Sequence, residues 1–297
     1  VLRAAKMHTN LEVHISTQQS VTNHLAADFL RDCGAERIVL AREVSLDELR
    51  PLAKKASTEL EVFIHGGMCV SYSGKCTLSN TMTDRDANRG GCAHSCRWHY
   101  DLFKDNELLN KNEPFAMASK DLETVQHISS LIDIGVDSLK IEGRMKSIHY
   151  IATVVNTYRR LIDDITENIE PNIPHYLLDI KKAENRLTSD GFMHGMTSIE
   201  QQLYNMRSEQ PTQAFVGIVK DYESEKGLIT FEQRNYFEEG DMLERFSPSG
   251  EALTFQVRNM KTIDGEKVAV ARHPKQILTM DAPFEMGPYD ILRKVQS

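Results

Sequence analysis

Four of the chain's five cysteines fall within 28 residues, as Cys69, Cys76, Cys92 and Cys96, in a stretch rich in glycine, serine and arginine. Thiolates are soft ligands, so a cluster of four points to a bound metal. Structural zinc usually takes its thiolates in pairs two to four residues apart, and only Cys92 and Cys96 come near that spacing. An iron–sulfur cluster accepts irregular loops, because its ligands reach separate corners of a larger object. The spacing therefore favours iron–sulfur, with zinc and unligated thiols as open alternatives. Two disulfides would suit a small secreted domain, whereas a chain of 297 residues has core enough without staples, and its start carries no secretion signal. A reducing, cytoplasmic compartment is expected. Cys33, in the helix-like LAADFLRDCG, reads as a buried structural thiol.

The elements that must position these thiols alternate. LEVHIS (11–16), ERIVLA (36–41), LEVFIHG (60–66) and SLKIEG (138–143) read as strands, and PFAMAS (114–119) as a short fifth. Helices are expected from Ser20 as N-cap to Gly34 as stop, over 45–57 with Ser45 and Glu48 in capping-box spacing and Pro51 distorting it, over DLETVQHISSLIDIG to Gly135, and along SIHYIATVVNTYRRLIDDI. Repeated strand–helix units predict an α/β fold with a parallel sheet, interrupted by an irregular four-cysteine loop over 66–110. Four or five units are too few for an eight-unit barrel. The chain opens at Val1 without an initiator methionine and reads as a fragment or processed form, so the missing units of an incomplete (β/α) barrel over 1–166 would precede Val1. Residues 167–210 read as a helical connection and linker. From 211 to 297 the strands are short, and turns such as EKG, EEGD, SPSGE and DGEK predict a small antiparallel β-barrel or sandwich.

Polar residues gather at the C-terminal ends of the predicted strands, the edge where parallel α/β folds bind ligands. They are His14, Ser16, Thr17 and Gln18; Arg42 and Glu43; His65, Gly66 and Gly67; and Lys140, Glu142 and Arg144. The cysteine loop departs from the same edge, so its metal is expected to face the same cavity. No HExxH, GxSxG or Walker A pattern is present, and a Cys69 nucleophile with His65 as base is the weaker reading of GGMCVSYSG. The net charge of −8 argues against indiscriminate nucleic-acid binding. A local basic face is still available, in Arg85, Arg89, His94, Arg97 and His99 beside the last two cysteines. No apolar run is long enough to cross a bilayer.

ELEVFIHGGMCVSYSGKCTLSN (59–80) resembles the signature of peptidase family U32, with Glu61, Phe63, Gly66, Gly67, Met68, Cys69, Gly74, Cys76 and Ser79 in register. The likeness continues through STQQSVTN, LAREVS, RDANRGGCAHSCRW and DSLKIEGRMKS. It is strongest to the bacterial branch of that family that hydroxylates the wobble uridine of tRNA to 5-hydroxyuridine with prephenate as co-substrate. The resemblance implies a TIM-barrel-like domain followed by a small β-barrel, with Cys69, Cys76, Cys92 and Cys96 as ligands of a 4Fe-4S cluster. Prephenate carries two carboxylates, which makes Arg42, Lys140 and Arg144 its expected binding groups, with Glu43 and Gln18 beside them. Glu142 and His65 become the acid–base candidates. Arg85, Arg89, Arg97 and Trp98 become the candidates for receiving an unpaired RNA base. A homo-oligomer or a partner supplying the missing strands is a further expectation. A U32-type peptidase and a zinc-stabilised RNA-binding module are the alternatives.

Overall fold

The computed structural model describes residues 1–111, 115–183, 186–203, 215–248 and 250–295. Pro114 of the predicted PFAMAS strand, residues 184–185 and 204–210 of the expected linker, residues 211–214 at the start of the strand-rich domain and Ser249 of the SPSGE turn lie outside the described residues. Two units result. One comprises Val1–Lys146 and Thr157–Leu178 with the segment that follows residue 185, the other Ser147–Asn156 with the strands from Phe215 on.

In the first unit a helix, α1 (Leu2–His8), occupies the start of the chain with none of its residues buried. Strands β1 (His14–Ile15), β2 (Arg37–Val39) and β3 (Glu59–Gly66) then pair in parallel, in that order. Helix α2 (His24–Asp32) follows β1 and is capped by Asn23, not Ser20, whose backbone is left-handed at φ 55° and ends a short 3-10 turn instead. Cys33, read as buried, is only partly so, because it caps the C-terminus of α2 where the chain turns outward. Helix α3 (Leu46–Lys55) carries the full Ser45–Glu48 capping box and runs through Pro51 without ending.

The cysteine loop contains a short helix, α4 (Leu78–Thr83), and a hairpin of β4 (Phe103–Lys104) and β5 (Glu107–Leu108). Residues 115–119 form isolated bridges, Tyr100 to Phe115 and Ser119 to Gln202, in place of the predicted strand. The predicted helix at 121 is displaced. Asp121–Glu123 is strand β6, antiparallel to β3 at His65 and Gly66, and α5 starts at Ile128 and ends at Ile134 with Gly135 in the left-handed cap. The sheet is therefore mixed rather than parallel. Strand β7 (Ser138–Ile141) pairs parallel with the other side of β3; helices α6 (Ile148–Thr166) and α7 (Ile173–Lys181) are divided between the units, with α6 up to Asn156 and α7 from Asp179 assigned to the second. Strand β8 (Thr188–Ser189) pairs with β6, so part of the expected linker belongs to the sheet.

The second unit is rich in strands: β9 (Phe215–Glu223), β10 (Leu228–Gln233), β11 (Phe237–Glu238), β12 (Met242–Ser247), β13 (Gly250–Gln256), β14 (Lys261–Thr262), β15 (Val270–Ala271), β16 (Ile277–Asp281) and β17 (Ile291–Lys294). Seven form one antiparallel sheet in the order β13-β12-β17-β9-β10-β16-β14, and β11 pairs with β15. Alternate residues of these strands build an apolar core that includes Phe231, Phe237, Leu243, Leu278 and Leu292, with Met260 added from the turn before β14. No helix among the described residues is long and apolar enough to cross a membrane.

Candidate metal centre and cavity

Strand β3 delivers the chain to the site through two glycines. Gly66 adopts φ +121°, and a Cβ there would lie 2.6 Å from the Glu142 carbonyl oxygen, so only glycine lets β3 run this close to the end of β7. Gly67 N–H donates to Glu142 Oε2 at 3.2 Å, and Arg144 N–H donates to Glu142 Oε1 at 3.2 Å. The Glu142 carboxylate is thus a clamp on the backbone just before Met68 and Cys69.

The loop is then tied down along its length. Ser73 N–H and Oγ donate to Glu43 Oε1 at 2.8 and 3.2 Å, and Ser20 Oγ donates to the Ser73 carbonyl. Gly74 packs against the turn that holds Gln18; its φ is +73° and an added Cβ would fall 2.0 Å from the Gln18 carbonyl oxygen. Buried Ser79, on α4, accepts from Ala93 N–H at 3.0 Å, and Asn88 Nδ2 donates to the Cys76 carbonyl at 3.0 Å. These two bonds fold the Cys92–Cys96 segment back onto Cys76.

All four thiols are free and electrostatically coupled. Cys69 is exposed at the surface, yet desolvation by the protein packed around its thiol pushes its pKa up, against the pull of Arg42 and Arg97 and with help from Cys92 and Cys76. Burial also raises Cys96, Arg97 opposes it, and the other three thiols add to the rise. His94 N–H points at Cys92 Sγ at 3.3 Å. Among the described residues no three of the four sulfurs lie within 4.8 Å of one another. A single tetrahedral zinc with bonds of about 2.3 Å would hold its sulfurs about 3.8 Å apart. Four thiols, two neighbouring guanidiniums and an amide aimed at a sulfur form a donor set with the chemistry to hold a thiolate-bound metal or cluster.

Cys69 also lines a cavity of about 440 Å³. Its wall includes Glu43, Met68, Tyr72, Ser119 and Lys120, and on the far side Gly191, Phe192, Met196 and Gln202. Ser119 Oγ and Gln202 Oε1 are buried there without a hydrogen-bond partner, which suits a polar ligand. Beneath it, Asp121 is buried between three cations, Lys146 at 3.2 Å, Arg97 at 3.4 Å and Arg186 at 3.5 Å. Burial raises the Asp121 pKa, yet Lys146, Arg186 and Arg97 outweigh it and hold the carboxyl below its ordinary value.

The residues singled out by the sequence are distributed unevenly over this site. Arg42 stacks on the Phe63 ring at 3.9 Å with its Nε buried and unpartnered, and Lys140 stands over the same ring at 5.4 Å while bonded to Glu61 at 2.6 Å. Glu43 reaches the cavity wall; Gln18 supports the loop from behind through its backbone. Arg144 is exposed, beside Gly90. His65 is 1% exposed, its Nδ1 lies 3.3 Å from the Tyr158 hydroxyl, and burial lowers its pKa to about 4. It is not among the cavity's lining residues. A raised Cys69 pKa is also the opposite of an activated nucleophile. Arg97 turns inward to Asp121 and the Met68 carbonyl, whereas Arg85, Arg89 and Trp98 face solvent, Arg89 paired with Asp86 at 3.1 Å. Lys120 and Asp121 escaped the sequence reading because a helix was assigned where β6 begins. No local signal marks β6: Asp-Leu-Glu carries two residues depleted in strands, and its pairing is with His65 and Gly66.

A mixed α/β unit with four neighbouring thiols, one of them on the wall of a cavity, together with an antiparallel strand-rich unit, defines the class. The chain belongs to peptidase family U32: the profile described as peptidase family U32 matches residues 1–203, and that described as peptidase family U32 C-terminal domain matches residues 211–293. It is 43% identical over 293 residues to tRNA hydroxylation protein P1 of Bacillus subtilis (strain 168), covering 96% of this chain and 69% of that protein. It is 41% identical over 157 residues to the 23S rRNA 5-hydroxycytidine C2501 synthase of Escherichia coli (strain K12), covering 53% of this chain and 24% of that protein. A crystal structure of the C-terminal domain of a Geobacillus thermoleovorans U32 peptidase shares 36% identity over 29% of this chain and 98% of that one, at a TM-score of 0.28.

Proposed function

We propose that the protein is an RNA-modifying enzyme that hydroxylates tRNA, converting the wobble uridine to 5-hydroxyuridine with prephenate as co-substrate. The observation that carries the reading is Cys69, one of four free thiols of the cysteine loop and at the same time part of a cavity wall. The names of the relatives supply the reaction class, since one is a tRNA hydroxylation protein and another a 23S rRNA 5-hydroxycytidine synthase.

Cys69, Cys76, Cys92 and Cys96 would hold a 4Fe-4S cluster, which when bound supplies one-electron redox or Lewis-acid chemistry at the cavity. The chain's own groups then act on the co-substrate. Lys120 lines the cavity and has a charge to offer a carboxylate, and Arg42 stands behind Phe63 as a second cation. Ser119 and Gln202 offer a hydroxyl and a carboxamide to a polar ligand. Phe192, on the cavity wall and packed against the sheet, offers an apolar face to its ring. Exposed Arg85, Arg89 and Trp98 remain the groups for phosphate contact and base stacking.

The test has two readouts. Anaerobically purified protein should contain about four irons and four sulfides per chain. Expression in a bacterium lacking its own tRNA hydroxylation should restore 5-hydroxyuridine in digested tRNA, and only when prephenate can be made. Stoichiometric zinc without sulfide would overturn the cluster, and unmodified tRNA beside intact iron–sulfur protein would overturn the reaction.

A further inference from the structure

Away from the cysteines, His127, Asp190 and His194 bring three ligand atoms within 4.8 Å of one another. His127 Nε2 lies 3.6 Å from Asp190 Oδ2, and His194 Nε2 lies 3.5 Å from the same oxygen. The two imidazole rings meet edge to face with centroids 4.9 Å apart. Such separations exceed an ordinary hydrogen bond of about 2.9 Å, which leaves the three donors close but poorly satisfied by each other. A tetrahedral ion with bonds of about 2.1 Å to imidazole nitrogen and carboxylate oxygen sets its ligand atoms about 3.4 Å apart. Asp190 Oδ2 stands near that spacing from both imidazole nitrogens, and all three ligand atoms fall within 4.8 Å.

The local structure accounts for the convergence. His127 closes the short 3-10 turn Val125–His127 and starts α5, and its side chain is 11% exposed. Asp190 follows β8 and opens a tight turn in which Met193 N–H donates to the Asp190 carbonyl and Gly195 N–H to the Phe192 carbonyl. That turn swings His194 back over Asp190, four residues on. One ligand is therefore fixed by the sheet-to-helix junction after β6, and two by the segment after β8. Two imidazoles and one carboxylate suit zinc, cobalt, nickel or iron(II) better than calcium or magnesium, which favour oxygen.

We infer that His127, Asp190 and His194 form a second metal site, which takes one divalent transition ion and clasps the 189–196 segment to the start of α5. This site is distinct in donor chemistry from the four thiols. Its placement gives it a consequence for the cavity, because Ser189, Gly191, Phe192 and Met196 on either side of the ligands are cavity wall. An ion held here would add a tie from Asp190 and His194 to the start of α5, beside the Leu46 N–H bond to the Met193 carbonyl and the packing of Phe192 that already hold the segment. Three protein ligands leave at least one coordination position for water.

Cobalt(II) titration of the full chain tests the assignment, because thiolate-bound cobalt gives an intense charge-transfer band and cobalt held by imidazole and carboxylate gives only weak visible bands. The protein with its cluster in place should bind one further equivalent with the weak spectrum alone. His194→Ala, at a side chain 74% exposed, should fold normally and bind that equivalent at least about tenfold more weakly. Asp190→Asn should do the same, while Cys92→Ser keeps the weak-band site intact. Zinc should also slow proteolysis within 189–196 in the wild type and leave the His194→Ala chain unprotected. Absence of the extra equivalent, or equal affinity in wild type and both ligand variants, would overturn the site, and neither result bears on whether the chain hydroxylates RNA.

Discussion

Asp121 holds three buried cations, Arg97, Lys146 and Arg186, on one carboxylate. Their side chains are each about nine-tenths buried. Removing the carboxylate charge leaves an excess of positive charge with little water to solvate it. Asp121→Asn is expected to destabilise the α/β unit by about 3 to 5 kcal/mol, the cost of breaking a buried pair by deleting one partner. Adding Lys146→Met should recover part of that loss in a urea titration, since the second change removes one stranded cation; no recovery would mean that Asp121 acts through shape and not charge. Lys120 is the contrasting residue. It faces the cavity, so Lys120→Ala should leave the unfolding midpoint unchanged and raise the KM for a dicarboxylate co-substrate about tenfold, the worth of a charge-assisted hydrogen bond. The thiols divide in the same way: Cys92→Ser should abolish iron incorporation and Cys33→Ser should not, and equal iron in both would remove Cys92 from the ligand set.

At the scale of elements, the cysteine loop depends on close backbone approach more than on any regular structure. Gly74→Ala puts a Cβ 2.0 Å from the Gln18 carbonyl at a φ of +73°, so the 17–19 turn or the loop must move. The expected outcome is reduced iron content at near-normal secondary structure, checked by iron analysis beside far-ultraviolet circular dichroism. This dependence also explains what was legible in the sequence. The capping box at Ser45 and the long apolar run of β3 are local signals, written in adjacent residues, and both stand as read. The four-cysteine spacing and the polar ends of β2 and β3 likewise led to the cavity wall at Glu43 and Cys69. Strand β6 was missed because three residues are too few for a period, and its identity comes from its ladder to His65 and Gly66, which are more than fifty residues away. The error hid Lys120 and Asp121. His65 and Arg97 were named for their type and position, but the sequence carries no record of which way they turn. Both turn inward, to Tyr158 and to Asp121 respectively.

Across the whole molecule, the two histidines with the deepest burial fall in different units: His65 in the α/β unit, and His149 in the strand-rich unit, where it stacks on Phe215 at 5.2 Å. Burial lowers both pKa values to about 4, with the Arg293 charge adding to the effect at His149. In the unfolded chain each returns to about 6.5, so between about pH 6.5 and pH 4 the unfolded state binds the extra proton and stability falls as the pH falls. For each histidine the loss between about pH 7 and pH 5 is about 2 kcal/mol, rising toward about 3 kcal/mol near pH 4. Carboxylates held below their ordinary value, Asp121 among them, add their own loss only at lower pH. Urea midpoints taken at pH 7 and pH 5 should therefore drop for both units, and His149→Phe should flatten the drop for the strand-rich unit while leaving that of the α/β unit in place. The separate cores make this separation observable, because the strand-rich unit packs its apolar residues among themselves. Equal acid sensitivity of both units in the His149→Phe chain would mean that the histidine at the start of α6 is not what titrates.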